Sequence, residues 1–159
     1  HRLSSGATPR QIAADESIRK AEDPLRVRDL EAADLIVVKV APLGGVRSAL
    51  AIVQECGLPA VVSSALDTSV GISFGVALAA ALPSLEHACG LGTVALLAGD
   101  VTPSPLVPDH GSLMAGRVDV GEALLDRWAA PPERVTWWAD RVAACHAVLA
   151  AAPQGGGMP

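Results

Sequence analysis

The chain has 159 residues, of which 50% are hydrophobic and 18% are charged, and its formal net charge is −5. This composition excludes general disorder, and the length suits one domain with a buried core. The acidic balance and the lack of a Lys/Arg cluster in the sequence argue against nucleic acid and anionic membrane as partners.

The sequence shows no sign of export or of a membrane span. The most apolar stretch, 70–82, is interrupted by Gly and Ser and is shorter than the ~20 residues that a span requires. The N-terminus has no charged region followed by an apolar run. Cys56, Cys89 and Cys145 lie outside metal-ligand spacing, and we expect buried free thiols. These features together predict a cytoplasmic protein.

Strand and helix patterns alternate through the first two thirds of the chain. The predicted strands are 12–14, 35–40, 60–63 and 86–89. The predicted helices are 23–33, 46–56, 69–81 and 93–98. Pro24 suits a first helical turn, Gly57 suits a helix end, and the continuous apolar run 35–38 is typical of a parallel sheet covered on both faces. The strand centres recur about every 24–25 residues, as in the βα units of a barrel or of an open doubly wound sheet.

The pattern changes at Pro103. We predict a strand over 113–118, a short helix over 120–128 and a longer helix over 132–151. The expected organisation is therefore a partial βα barrel of about four units over 1–102, a C-terminal helical extension over 103–152 and a disordered tail over 153–159. A closed (β/α)₈ barrel needs eight units and ~250 residues, so we expect an α/β chain that is the C-terminal part of such a barrel, incomplete here because upstream sequence is missing.

Two charged residues are the leading candidates for chemistry. Asp15 follows the first predicted strand, and Lys39 ends the second, otherwise apolar, strand. A cation at the tip of a buried strand is costly to desolvate and seldom lacks a partner. A carboxylate and an ammonium at adjacent strand ends would suit carbanion chemistry. The alternatives are that Asp15 caps a turn and that the Lys39 stem packs while its ammonium reaches water.

Further candidates lie on neighbouring loops. Ser63 and Ser64 end the third strand with two hydroxyls that could bind a substrate carboxylate, although plain turn chemistry is the alternative. Gly90, which precedes Leu91-Gly92-Thr93, lies on the next loop and is a weaker candidate. Gly44-Gly45 before a helix could seat an anion.

Three segments together resemble the enolase superfamily: Ala14-Asp15-Glu16-Ser17, Ile36-Val37-Val38-Lys39, and 62–71. Within it, these segments, with Cys89 to Thr93 and the Trp137-Trp138 pair, are similar to the o-succinylbenzoate synthase family. The likeness extends from about Gln11 to the final helix.

The resemblance implies roles for matching positions. Asp15 would be a carboxylate ligand of Mg²⁺ on the fifth barrel strand. Lys39 would be the sixth-strand lysine, which accepts a proton or stabilises the intermediate as a cation. Ser63 and Ser64 would help hold the succinyl carboxylate of a small-molecule substrate, and Gly90 would be a further substrate-binding residue. The extension after Pro103 would pack back towards the barrel and an N-terminal capping domain.

The implied reaction is the Mg²⁺-dependent dehydration of 2-succinyl-6-hydroxy-2,4-cyclohexadiene-1-carboxylate to 2-succinylbenzoate in menaquinone biosynthesis. The family's other metal carboxylates and its second-strand lysine would lie upstream of Asp15. We therefore expect this chain to be inactive alone and to need the N-terminal half of the same protein as its partner. The alternatives are an N-acylamino acid racemase or a dipeptide epimerase of the same superfamily, or a non-catalytic anion-binding α/β module.

Overall fold

A parallel sheet of three strands lies at the centre of the computed structural model, which describes residues 10–151. The strands are β1 (Ala13–Ala14), β2 (Leu35–Val38) and β3 (Ala60–Val62), hydrogen-bonded in chain order. Ala13 pairs with Leu35 and Val38 pairs with Val62, so the register is continuous across the sheet. Because all three strands are parallel, their carboxyl ends meet at one edge, and the residues after each strand become neighbours.

The helices follow the strands as the alternating pattern predicts. They are α1 (Asp23–Asp29), α2 (Val46–Cys56), α3 (Ser69–Ala81), α4 (Glu122–Arg127) and α5 (Pro132–Ala151), with a 3₁₀ turn over Thr93–Leu96. Pro24 lies in the first turn of α1, and Gly57 ends α2 with a left-handed φ of 71° while its N–H bonds to the carbonyl of Val53. Pro24 therefore lies at the beginning of a helix, and Gly57 ends one, where the sequence predicts.

The core lies between the sheet and helices α1 to α3. Ile36 and Val38 of β2, Val62 of β3, and Ile72 and Leu78 of α3 are completely buried. Aliphatic side chains at these positions fill the space that aromatic residues fill in many other domains. The central strand β2, which is paired on both sides, carries the longest buried run and fixes where the residue that follows it, Lys39, emerges.

Two predictions at the edge of this core are wrong. No strand forms over 86–89; one parallel bridge joins Gly90 to Ser63 instead. Within the described part of the chain, the single Gly90–Ser63 pair is all that joins this segment to the sheet, and one pair does not make a ladder. The predicted helix over 93–98 is reduced to the 3₁₀ turn.

The region after Pro103 agrees with the prediction only in its helices. Helices α4 and α5 form, but 113–118 contains no strand, and the only pairing nearby is the Asp109–Ser112 bridge around a turn. No residue of α5 is buried within the described part of the chain. The predicted disordered tail over 153–159 lies outside the described residues, and the domain boundary at 102–103 stays a prediction.

None of the helices between residues 10 and 151 combines the length and apolarity needed to cross a bilayer. The expectation of buried cysteines is only partly met, because Cys56 is buried, Cys89 is half-buried and Cys145 is exposed on α5. The Cys56 thiol donates to the carbonyl oxygen of Pro24 over 3.3 Å, which links α2 to α1.

Candidate functional site

Asp15 and Lys39 meet directly at the carboxyl edge of the sheet. The Lys39 ammonium donates to Asp15 Oδ1 in a close ion pair. Lys39 is 8% exposed, whereas the Asp15 side chain keeps 43% of its surface open to solvent. The pairing explains how an ammonium can be buried at a strand tip, because an opposite charge offsets part of its desolvation. Their chemical roles stay predictions, but the two side chains share one location.

The backbone after Asp15 is held by a second carboxylate. Asp23 Oδ2 accepts hydrogen bonds from the N–H groups of Arg19 and Lys20 at 2.7 and 2.8 Å. These bonds lower the pKa of Asp23 below its ordinary value, because both favour the charged carboxylate. The N–H of Ile18 also closes a turn onto the carbonyl of Asp15 at 2.9 Å. The loop that presents Asp15 is therefore tied to the start of α1.

The two predicted serines differ in how their hydroxyls are engaged. Ser64 Oγ lies 2.9 Å from the carbonyl oxygen of Gly90 and 2.7 Å from Thr93 Oγ1. Ser63 Oγ has only long contacts of 3.4 Å, to the carbonyls of Ser64 and Gly90. Ser64 therefore joins two loops, while the Ser63 hydroxyl is the freer donor for a ligand.

Gly90 packs closely against Ser63. A Cβ added at this position would lie 2.9 Å from Ser63 Oγ, closer than real Cβ contacts come. Its N–H donates to the carbonyl of Val62 at 2.9 Å, and its carbonyl accepts from the N–H of Ser64 at 3.0 Å. The structure thus assigns Gly90 a place beside Ser63 and Ser64, as predicted, with backbone contacts to both strand and loop.

A cavity of about 490 Å³ opens beside Lys39, between the loop that follows β2 and the loop that follows β3. Its polar and charged lining residues are Lys39, Arg47, Ser48, Ser63, Ser64 and Asp67. Asp15 and Gly90 do not line it, so Lys39 stands between the cavity and Asp15. Phe74, the chain's only phenylalanine, also lines the cavity and is 53% exposed, a feature the helical pattern alone did not reveal.

The described residues offer one carboxylate, that of Asp15, as a candidate metal ligand. No group of three or more His, Cys, Asp and Glu side chains suited to a metal occurs among them. Asp15 alone combines a position at the sheet edge with an exposed carboxylate next to Lys39. Mg²⁺ typically accepts one or two protein carboxylates and completes its shell with water and substrate oxygens. Asp15 therefore fits as one ligand, and further ligands must come from elsewhere.

The sequence reasoning missed a buried polar cluster at the start of α3. Asp100, Ser69 and Thr102 are 8%, 0% and 4% exposed. Asp100 accepts hydrogen bonds from the backbone and hydroxyl of Ser69. No local motif signals this pairing, since the partners are 31 residues apart and the segment around Asp100 lacks a strand or α-helix pattern.

Comparisons with known proteins agree with the parallel βα fold described above. The family described as "Enolase C-terminal domain-like" matches residues 1–121. The o-succinylbenzoate synthase of Thermobifida fusca (strain YX) is 61% identical over 136 residues, which are 86% of this chain and 42% of that protein. The o-succinylbenzoate synthase of Mycobacterium tuberculosis (strain ATCC 25618 / H37Rv) is 54% identical over 138 residues, 87% of this chain and 42% of that protein.

Solved structures of lower sequence identity have a similar fold. Muconate lactonizing enzyme from Pseudomonas fluorescens, complexed with muconolactone, has a TM-score of 0.69 and 26% identity over 76% of this chain and 35% of its own. The 2-chloromuconate cycloisomerase from Rhodococcus opacus 1CP has a TM-score of 0.67 and 26% identity over the same shares.

The predicted fold class is confirmed: the chain is an α/β partial barrel with parallel strands, similar to part of enolase-superfamily enzymes. It spans 42% of the length of the curated relatives cited above. The match over 1–121, the parallel βα order and the high identity to these relatives agree with the resemblance seen in the sequence. The chain belongs to the enolase C-terminal domain-like family.

Proposed function

We propose that these residues form part of an o-succinylbenzoate synthase, which removes water from 2-succinyl-6-hydroxy-2,4-cyclohexadiene-1-carboxylate to give 2-succinylbenzoate. The observation that carries the proposal is the ion pair of Lys39 and Asp15 at the carboxyl ends of adjacent parallel strands. High identity to curated o-succinylbenzoate synthases supports the choice of reaction. The other parts of the site would come from the length of those relatives that this chain does not span.

Lys39 would serve the reaction as a cation. The reaction removes a proton from the carbon next to a carboxylate, so negative charge develops on that carboxylate. An ammonium paired with Asp15 has no free lone pair to accept a proton, but as a largely buried cation it can stabilise this charge. The contact with Asp15 therefore favours the role of stabilising cation over that of proton acceptor.

Asp15 would be one protein ligand of a Mg²⁺ ion. Its Oδ1 faces Lys39, and 43% of the side chain stays open to solvent. A divalent cation, when bound, would polarise the substrate carboxylate and make the adjacent C–H more acidic. By holding Lys39 in place, Asp15 would also orient the ammonium towards the reacting carbon.

Ser63 would bind the substrate's second carboxylate, with Ser64 and Gly90 holding Ser63 in place. The Ser63 hydroxyl has only long protein contacts and lines the cavity, so it can donate to a carboxylate oxygen. Ser64, which is bonded to Gly90 and Thr93, would fix the loop that presents Ser63. The cavity beside them is large enough for a small dicarboxylate.

Substitution of Lys39 in the whole protein tests the proposal. Lys39→Met removes the charge at similar length and should lower kcat by ~10²-fold or more, because the developing negative charge loses its stabilising cation. Lys39→Arg keeps a cation and should retain more activity than Lys39→Met. Steady-state assay of 2-succinylbenzoate formation, with Lys20→Met as the matched control on an exposed lysine, measures both effects.

The outcomes separate the alternatives. Near-normal turnover in Lys39→Met would show that Lys39 does not carry the catalysis, and a wild type without turnover that binds anions as well as Lys39→Met does would favour a non-catalytic anion-binding module. An N-acylamino acid racemase or dipeptide epimerase would use the same Asp15 and Lys39 to exchange an α-proton, so it would incorporate solvent deuterium into an N-succinyl amino acid or a dipeptide. Equal turnover by the 159-residue chain alone would contradict the need for the remaining length of the relatives.

A further inference from the structure

One loop in the site holds a strained backbone. The serine loop, residues 63–68, joins β3 to α3 and contributes Ser63, Ser64 and Asp67 to the cavity lining. Leu66 in this loop has a left-handed φ of 64° although it is not glycine, and its side chain is 60% exposed. Such a conformation is unfavourable for leucine, and burial of this side chain does not offset the cost. Within the loop, the N–H of Ala65 donates to Asp67 Oδ2 at 3.0 Å across Leu66, and contacts with other segments hold the two ends of the loop.

The first of these contacts is at the start of the serine loop. The N–H of Ser63 donates to the carbonyl of Val38 at 2.9 Å, which continues the pairing of β2 with β3. Ser64 bonds through its backbone and hydroxyl to Gly90, and its hydroxyl also meets Thr93. These bonds fix the first two residues of the loop.

The second contact is at the end of the serine loop and comes from a distant segment. Asp100 Oδ1 accepts from the N–H of Ser69 at 3.2 Å, and Asp100 Oδ2 accepts from the Ser69 hydroxyl. The N–H of Val101 donates to Asp100 Oδ1 at 2.7 Å, and the N–H of Leu106 donates to Ser69 Oγ at 2.7 Å. Ser69 is the first residue of α3, so the Asp100 carboxylate binds the helix at the point where the serine loop ends.

The hydrogen bonds around Asp100 and Ser69 do more than cap helix α3. Thr68, the N-cap of α3, makes no capping bond through its side chain, so Asp100 takes over this task from outside the loop. A carboxylate that is 8% exposed is costly to bury, and here its oxygens face several donors. Both ends of the serine loop are therefore fixed by residues that do not belong to it.

We propose that Asp100 is a positioning residue that holds the serine loop in the conformation that binds the substrate's second carboxylate. The inference rests on the proposed function, because the loop's ligand is the one proposed above. Asp100 acts through Ser69 and does not line the cavity. Its loss would let Leu66 relax towards a common backbone conformation, and this shift would strain the bonds that fix Ser63 and Ser64 at the other end of the loop and displace the Ser63 hydroxyl from its ligand.

The test uses three variants of the whole protein. Asp100→Asn keeps the shape but places an amide N–H₂ against the donors of Ser69, and Ser69→Ala removes the hydroxyl that donates to Asp100 and accepts from the N–H of Leu106. Thr102→Val is the matched control, since Thr102 is equally buried in the same segment but its hydroxyl bonds to the N–H of Ser104 at 3.2 Å. Steady-state kinetics and amide hydrogen exchange over 63–68 are measured for each variant.

Asp100→Asn and Ser69→Ala should raise KM by about 10-fold with kcat within about threefold of wild type, because a displaced serine loop weakens binding of a remote carboxylate. Hydrogen exchange over 63–68 should become faster, and exchange within α2 should not change. Thr102→Val should leave KM and the exchange of the serine loop at wild-type values even if it lowers the melting temperature.

Each result decides one question. A wild-type protein without 2-succinylbenzoate formation overturns the proposed function, while the exchange measurements still decide whether Asp100 holds the serine loop. An active wild type whose folded Asp100→Asn and Ser69→Ala variants keep a normal KM overturns the positioning role. A KM that rises equally in Thr102→Val shows a general loss of structure and also overturns it.

Discussion

Asp23 shows how one exposed carboxylate can order a backbone segment beside a candidate site. Its pKa lies below the ordinary value of 3.8 because the N–H groups of Arg19 and Lys20 donate to the charged form. A carboxylate with a lowered pKa stabilises the folded state at pH values above its unfolded pKa. That contribution is lost as the pH falls through the folded pKa.

Asp23→Asn should therefore weaken the acid dependence of thermal unfolding. The wild type should lose stability as the pH drops below about 4, and the variant should lose less over the same window because its amide does not titrate. Melting temperatures between pH 2.5 and 7 measure this difference, with Asp119→Asn as an exposed control. An Asp23 carboxyl that titrates by NMR at or above 3.8 would contradict the explanation.

For single residues, the sequence was sufficient to predict a location in the site where that location follows from the end of a strand. Asp15, Lys39 and Ser63 each come directly after a strand, so parallel pairing alone brings them to one edge. Asp100 could not be predicted in this way, because its partner Ser69 reaches it only through the path of the chain after the 3₁₀ turn. The cavity wall formed by Phe74 likewise depends on how α3 packs.

Among the elements, those with strong local signals were predicted well. Helix α2 runs from Val46 to Cys56 and α5 from Pro132 to Ala151, as expected from periodicity, Gly57 and Pro132. The predicted strand over 86–89 does not form because, among the described residues, the chain after α3 meets the edge of β3 only at Gly90, one residue beyond the predicted strand. Helical signals are local and strand signals depend on distant neighbours, which accounts for the difference.

The end of α2 provides a test of one such signal. Gly57→Ala should lower the free energy of unfolding by about 1–2 kcal/mol, because alanine resists the left-handed φ of 71°. No atom would crowd the added Cβ, so backbone strain alone causes the loss. Gly116→Ala, where a Cβ also meets no neighbour and φ is not left-handed, should leave stability almost unchanged. Chemical denaturation compares the two, and equal effects would refute the cap argument.

At the level of the whole molecule, helix α5 exposes a large apolar surface, and none of its residues is buried by the described part of the chain. Trp137, Trp138, Val142 and Leu149 are all about half exposed or more, although the two indoles contact each other edge to face. Exposed apolar patches of this kind mark surfaces that another part of a protein covers. We propose that the extension over 103–152 packs against the part of the protein that corresponds to the unspanned length of the relatives.

Tryptophan fluorescence tests this proposal. In the 159-residue chain alone, Trp137 and Trp138 should emit at the long wavelength of hydrated indole, since both are about half exposed. In the whole protein the emission should shift to shorter wavelength and should be less quenched by iodide. Trp128→Phe in both forms removes the third indole as a control, and identical spectra for the two forms would contradict the packing of α5.

The position of β1 at the edge of the described sheet has a practical consequence. This strand has two residues, and among the described residues it pairs only with β2, so its outer backbone groups are free to bond. A complementary polypeptide supplied in trans could add a strand there and complete the surroundings of Asp15. Separately expressed pieces of such an enzyme would then regain turnover on mixing, which would make the strand boundary a natural place to engineer a split reporter.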